Sequence, residues 1–325
     1  MRTSIHLDIR PSVPQRDRDS QSEWVDSMSV IPFISAAKIA GLSTATFSGL
    51  KTTSIAALAT TQMAALTAAQ VNALTSTDLQ YLVTAQVQAI SSTTMSGLIE
   101  AQIQAFTDTQ IGELTSMQVS ALTATEIGAL SPTELQNLST TQANALTATQ
   151  IGSLSTTVLN NLTTTQVAGL TATQAQGLYW SQLNGLSTSN LNALDVALLL
   201  PVQMVGLYTT TVTNLTSTQV GALTAAEIGG LTVAGINNLT TDEIAAFTTT
   251  QAGGLTSTQI AGMTTANFSA LSSTSGIPGL STSAIAGLTT AEINSLSATQ
   301  GHAFDMAQIA VMSMDVANAL AALIG

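Results

Sequence analysis

Leu146-Thr147-Ala148-Thr149-Gln150-Ile151-Gly152-Ser153 is one period of a pattern that fills nearly the whole chain. An apolar residue stands at every eighth position from Ile34 to Leu194, in the series Ile34, Leu42, Leu50, Leu58, Leu66 and onward. An insertion of five residues after Pro201, at 202–206, resets the register to Leu207, and it holds to Leu271. One extra residue within 275–279 moves it again, to Leu280, Leu288, Leu296, Phe304, Met312 and Leu320. The consensus is Leu-Thr-x-Thr-Gln-Ile-x-Ala.

Two backbones fail this pattern. In a continuous helix, eight residues at about 100° each would carry the apolar stripe round by roughly 80° per period, so no single face would be apolar. In a strand, Leu146 and Ile151 are an odd number of positions apart and would point to opposite faces. A short, restarted helix satisfies every position. The residue after the Leu is Ser or Thr in most periods, the preferred helix N-cap, and Gln or Glu commonly follows three residues later, which makes a capping box. Thr123 with Glu126, Ser131 with Glu134, Thr147 with Gln150 and Thr289 with Glu292 are examples. The Leu before the cap and the Ile four after the cap then form the hydrophobic staple. The Ala, Gly or Asn in the last position, as at Gly169, Gly185, Asn161 and Asn238, suits a chain leaving a helix. Ala148 falls on the outward side. Each octad is thus predicted to be a helix of about 1.5 turns. Isolated helices of that length are marginal, so stability must come from stacking around a shared core. The expected fold is an all-α solenoid, or superhelix, of very short helices. No period of 16, 24 or 32 residues stands out, so the number of octads per turn is left open.

Charge removes several functional classes. The 325 residues contain six Lys and Arg, all within the first 51 positions, and thirteen carboxylates lie beyond them. Nucleic-acid binding needs cations to neutralise phosphates, so it is not expected of the repeats, and neither is attachment to anionic membranes. No Cys is present, and the two His, His6 and His302, lie at opposite ends. That composition gives no thiol chemistry, no Cys-based zinc site and no haem-ligating pattern. The longest apolar stretch, 196–207, contains Pro201 and Gln203 and is too short for the ~20 residues of a membrane-spanning helix. Neither a cofactor nor an enzymatic activity is expected.

The organisation predicted is an N-terminal arm or docking segment at 1–33 and a first repeat block at 34–201. The insertion with a second block follows at 202–279, then a third block with a C-terminal association segment at 280–325. The ends of a solenoid present apolar side chains unless covered. Trp24, Ile31 and Phe33 at one end, and Met312, Met314, Leu320, Leu323 and Ile324 at the other, are therefore candidates for assembly with further copies of the chain. Along the body, Thr-x-Thr pairs such as Thr147/Thr149, Thr163/Thr165 and Thr248/Thr250, with the Gln column, could instead present a regular face to ice or a polysaccharide. The competing role of these residues is helix capping. Tyr179 and Trp180 replace the cap and first helical residue of their octad and should point outward, as a contact site or a surface idiosyncrasy. His302 near Asp305, and the pair Asp242-Glu243, have no further ionisable neighbours in sequence and are expected to be ordinary surface groups.

Octads such as Leu66-Thr67-Ala68-Ala69-Gln70-Val71-Asn72-Ala73 resemble the octapeptide arrays of large secreted or surface proteins of proteobacteria, often labelled adhesin-like or haem-utilisation proteins. The likeness covers residues 34–325. It implies an extracellular or cell-surface location, here without a cleaved N-terminal signal peptide. Leu130-Ser131-Pro132-Thr133-Glu134-Leu135 also resembles the opening of a TAL-effector repeat. The chain has no 34-residue period, no base-reading dipeptide and no cations in its body, so DNA recognition is not carried over. The expected function is that of a non-enzymatic structural protein, a filament subunit or adhesin stalk assembling through its ends. The alternative is a ligand-binding solenoid that uses its Thr/Gln face.

Overall fold

The computed structural model describes residues 33–325. The chain divides into two compact units that part between Ala121 and Leu122. Both are all-α solenoids. Among the described residues there are 35 α-helices and no strand.

The octad at Leu146 shows how one period is made. Thr147 is extended (φ −77°, ψ 158°) and precedes the helix Ala148–Ser153. Its hydroxyl accepts the Gln150 N–H at 3.2 Å, and the Gln150 side-chain carbonyl accepts the Thr147 N–H at 2.6 Å. This is the predicted capping box. The helix closes with the Leu154 N–H on the Ile151 carbonyl at 3.2 Å, a tightened last turn. Leu154 is extended again (φ −71°, ψ 144°), and the next octad begins. Leu146 and Ile151 are both buried, as are most of their counterparts along both units; Leu42, Leu186, Ile309 and Met312 are half-buried.

Three octads complete one coil. In the first unit Ala36–Ala40 packs on Thr60–Met63, and Thr60–Met63 packs on Thr84–Ala89. In the second, Thr164–Ala168 packs on Thr188–Ala193, and Ser257–Gly262 on Thr282–Ile285. Each helix therefore lies against its third neighbour in sequence.

The Gln column ties the coils together. Gln174 is 2 % exposed. Its carbonyl oxygen accepts the Thr171 N–H at 2.9 Å, and its amide nitrogen donates to the carbonyls of Ala143 and Leu146, both at 2.8 Å. Those two carbonyls lie at and just beyond the end of the helix Thr140–Ala143, where backbone acceptors have no helical partner. One side chain thus caps the start of its own helix and the end of another in the preceding coil. Gln70 does the same for Ile39 and Leu42, Gln118 for Val87 and Ile90, and Gln259 for Ile228 and Leu231. Where the N-cap is apolar, as at Val83 or Tyr179, the Gln still accepts the N-cap N–H. The exposed amide ladder considered for this column is overturned by its burial: the amides are consumed inside.

The two breaks in register show the coil rule from another side. The usual Gln bond reaches a carbonyl 28 residues back. Gln203 and Gln219 reach Leu178 and Leu194, only 25 back, and Gln300 reaches Leu271, 29 back. The differences match a coil three residues short and a coil one residue long. The short period is 194–198, with a 3-10 helix at Val196–Leu198 in place of an α-helix. Residues 202–206, expected to be the insertion, instead belong to a regular octad whose helix is Pro201–Val205, with Pro at its first position and Gln203 accepting the Leu200 N–H. The extra residue near 275–279 lies where expected. There the Ile277 N–H reaches back five residues to Ser272, and Ile277 keeps its place in the core.

The last-position glycines correct a second expectation. Gly177 follows its helix in right-handed conformation (φ −74°, ψ −15°), not in the left-handed region that favours Gly. Its reason is proximity: a Cβ there would lie 2.7 Å from the Ala148 carbonyl oxygen of the preceding coil. Ala148 is correspondingly half-buried and is a contact between coils, not an outward position, while Thr149 is exposed.

Candidate functional site

The short period lies beside a cluster of exposed apolar side chains in the second unit. Leu194, Val196 and Leu199 are buried, so five residues do the core work of eight. Asp195 holds the 3-10 turn by accepting the Ala197 N–H at 3.1 Å. The octad that follows carries Leu200, Val202 and Val205 at the surface, and the next begins with exposed Tyr208. The helix Trp180–Gly185 packs against Pro201–Val205. It presents Tyr179 and Trp180, which are 64 % and 45 % exposed. The expected outward orientation of this pair is what the structure shows.

These side chains sit on a fixed frame. The Asn184 amide donates to the Gly206 carbonyl at 2.8 Å, and its oxygen accepts the Tyr208 N–H at 2.8 Å and the Thr211 hydroxyl at 2.7 Å. Gly206 lets the indole approach: a Cβ there would lie 2.6 Å from the Cβ of Trp180 and 2.7 Å from its Cδ2. The rings of Trp180 and Tyr208 face each other at 6.3 Å between centroids, tilted by 59°. On the other side of Tyr179 and Trp180 a groove of about 500 Å³ opens, with Thr149, Gly152, Ser153, Gln176 and Val202 among its walls. Tyrosine apart, no ionisable side chain lines it.

Trp24 and Ile31 lie outside the described residues. Phe33 is 88 % exposed and Met314 is also exposed. Met312, Leu323 and Ile324 are half-buried. Leu320 is 2 % exposed, so it is core and not an open association surface. It belongs to the helix Met314–Ile324, eleven residues long, which packs on Thr290–Asn294 and Ala298–Gly301. Its Leu320, Leu323 and Ile324 close over Gly301. The His302 ring binds the Ala298 carbonyl at 2.8 Å, while Asp305 caps its own helix by accepting the Gln308 N–H. Asp242 and Glu243 border a small pocket of about 100 Å³, where Glu243 accepts from the Ser217 hydroxyl and the Thr240 N–H. Among the described residues no three His, Cys, Asp or Glu side chains come together as a metal site, and no helix is long and apolar enough to cross a membrane.

Asn residues at the seventh octad position were not recognised as functional in sequence. Asn72, Asn160 and Asn237 each donate to a carbonyl in the next coil and accept a backbone N–H beyond it, at Ile99, Ser187 and Thr264. At Ser187 and Thr264 the third helical residue is Asn190 or Asn267, a methylene too short to reach back, so the Asn from the preceding coil takes over the missing half of the box. At Ile99 both candidates are present. Asn72 takes the N–H, and the Gln102 carbonyl oxygen is the buried side-chain polar atom left without a partner among the described residues.

Residues 125–156, a span of four octads, match the family model of the ALTTAQ repeat. No curated protein matches the chain. The match establishes a repeat-containing protein.

Proposed function

We propose that the chain is a non-enzymatic structural repeat protein of the bacterial cell surface or extracellular space, serving as a stalk or as a filament subunit. The supporting observation is the Gln ladder. In each unit the amides that could have met a ligand are spent joining one coil to the next, which suits a body whose task is to persist and to hold other parts apart. The cation-free stretch after Lys51 agrees with an exposed life, since it offers trypsin-like proteases no cleavable bond. Self-association through the ends, where it occurs, would use exposed Phe33 and Met314, because Leu320 is already covered.

Negative-stain micrographs of the purified protein test this reading. Elongated particles or filaments are the expected result, and round, compact particles would overturn it. Light scattering then separates stalk from filament. A filament gives large species that Phe33→Ser or Met314→Ser removes, and a stalk stays monomeric at high concentration.

A further inference from the structure

We infer that the groove beside Tyr179 and Trp180 is a binding site for a neutral polysaccharide chain. The inference stands independently of the structural role proposed above, since a stalk can exist with or without it.

Three observations converge. Among the described residues the exposed aromatic rings elsewhere are Phe33 and Tyr81, yet Trp180 lines the groove together with Tyr179 and stands 6.3 Å from the Tyr208 ring. A pyranose ring presents a face of C–H bonds with partial positive charge, which packs on the negative face of an aromatic ring. The Asn184 bonds fix the backbone at Gly206 and Tyr208, and Gly206 lies close against the Trp180 indole, so less ordering of that ring is left to be done on binding. The groove also has the right chemistry around its rings. Thr149, Ser153 and Gln176 are exposed neutral groups suited to sugar hydroxyls, and about 500 Å³ falls within the range of small-ligand sites.

Charge selects among polymers. With no carboxylate or cation lining the groove, and none of the chain's cations beyond Lys51, a uronic-acid or sulfated chain would meet an acidic protein with nothing to pair it. An uncharged glycan loses nothing to that field. Its length also fits the site, which is open along a run of exposed side chains from Thr149 to Val202 and not closed into a cavity.

The test uses the full chain with cellohexaose, chitohexaose, xylohexaose and laminarihexaose as probes, followed by calorimetry and by Trp fluorescence. Saturable binding of at least one hexaose is expected, with a Trp emission shift. Trp180→Ala and Tyr179→Ala should each weaken it tenfold or more, with the far-UV dichroism unchanged because both side chains are exposed. Gly206→Ala keeps every ring but displaces the indole, and should weaken binding comparably. Polygalacturonate should not compete. The proposal is overturned if none of the four hexaoses binds, if binding survives all three substitutions, or if the groove takes up decaproline in preference to every sugar.

Discussion

The third helical residue carries more of this fold than its place in a capping box suggests. A Gln there supplies an acceptor to its own helix and two donors to the coil before it. Glu keeps the first function and loses the second. Gln174→Glu should therefore strip the Ala143 and Leu146 carbonyls of their donors, at roughly 1–3 kcal/mol for each buried group left unpaired. The converse holds at Glu227, which is buried and accepts the Thr224 N–H, with the Leu199 carbonyl at the matching place in the preceding coil. Glu227→Gln should raise the melting temperature; a fall would contradict the donor role. Asp78 is a third variant. Burial pushes its carboxyl up, but bonds from the Thr75 hydroxyl, the Thr52 hydroxyl and the Thr75 N–H outweigh it and hold the group below the ordinary value of 3.8. A group depressed in the folded state contributes stability above its unfolded pKa and loses it as pH falls through the folded one. Denaturant titrations should show wild type ahead of Asp78→Asn by a constant margin above about pH 5, shrinking on further acidification. An unchanging margin would rule out the linkage. The sequence made the acceptor half of this chemistry visible, through the Thr-x-x-Gln spacing. The donor half was hidden, because the partner carbonyls lie about a coil away and backbone groups leave no mark in sequence.

At the scale of the element, an octad is defined by how closely it lets its third neighbour approach. Glycine in the last position resembles a helix terminator, as Gly169 and Gly185 do in sequence; what the site at Gly177 requires is a missing Cβ. Gly177→Val should cost about 1–3 kcal/mol or more by overpacking against the Ala148 backbone. Gly221 is in the helix Ser217–Ala222, and a methyl added there would meet nothing within 4 Å, so Gly221→Ala should add about 0.5–1 kcal/mol. Thermal melts of the two variants should move in opposite directions, and equal shifts would mean that helix termination, not proximity, sets the choice. The location of the short period was legible in principle. Leucine occupies several phases of 196–207, so an apolar count alone can place the break on either side of Pro201. Pro201 at a first helical position and Gln203 three residues after Leu200 fix it, by the same capping rule that located the other octads.

For the molecule as a whole, helix content and core columns followed from the sequence, whereas the number of octads per coil did not. Near-identical octads carry no signal of which one each will touch, and only the breaks in register, once seen in space, expose the spacing. That uniformity has a consequence for changes in length within the second unit. Removing one octad leaves every buried Leu, Ile and Gln with an equivalent partner, so the interior is indifferent to phase. The exterior is not: everything downstream rotates by a third of a turn relative to what precedes it. Deleting residues 186–193 should then leave a cooperatively melting helical protein in which Trp180 faces Asn214 in place of Gly206, and the aromatic groove is dismantled. Deleting 239–246, which lies beyond the groove, should cost comparable stability and leave the groove whole. Such an array can lengthen or shorten freely in steps of eight as a spacer, but any surface pattern that spans neighbouring coils survives only steps of a full turn.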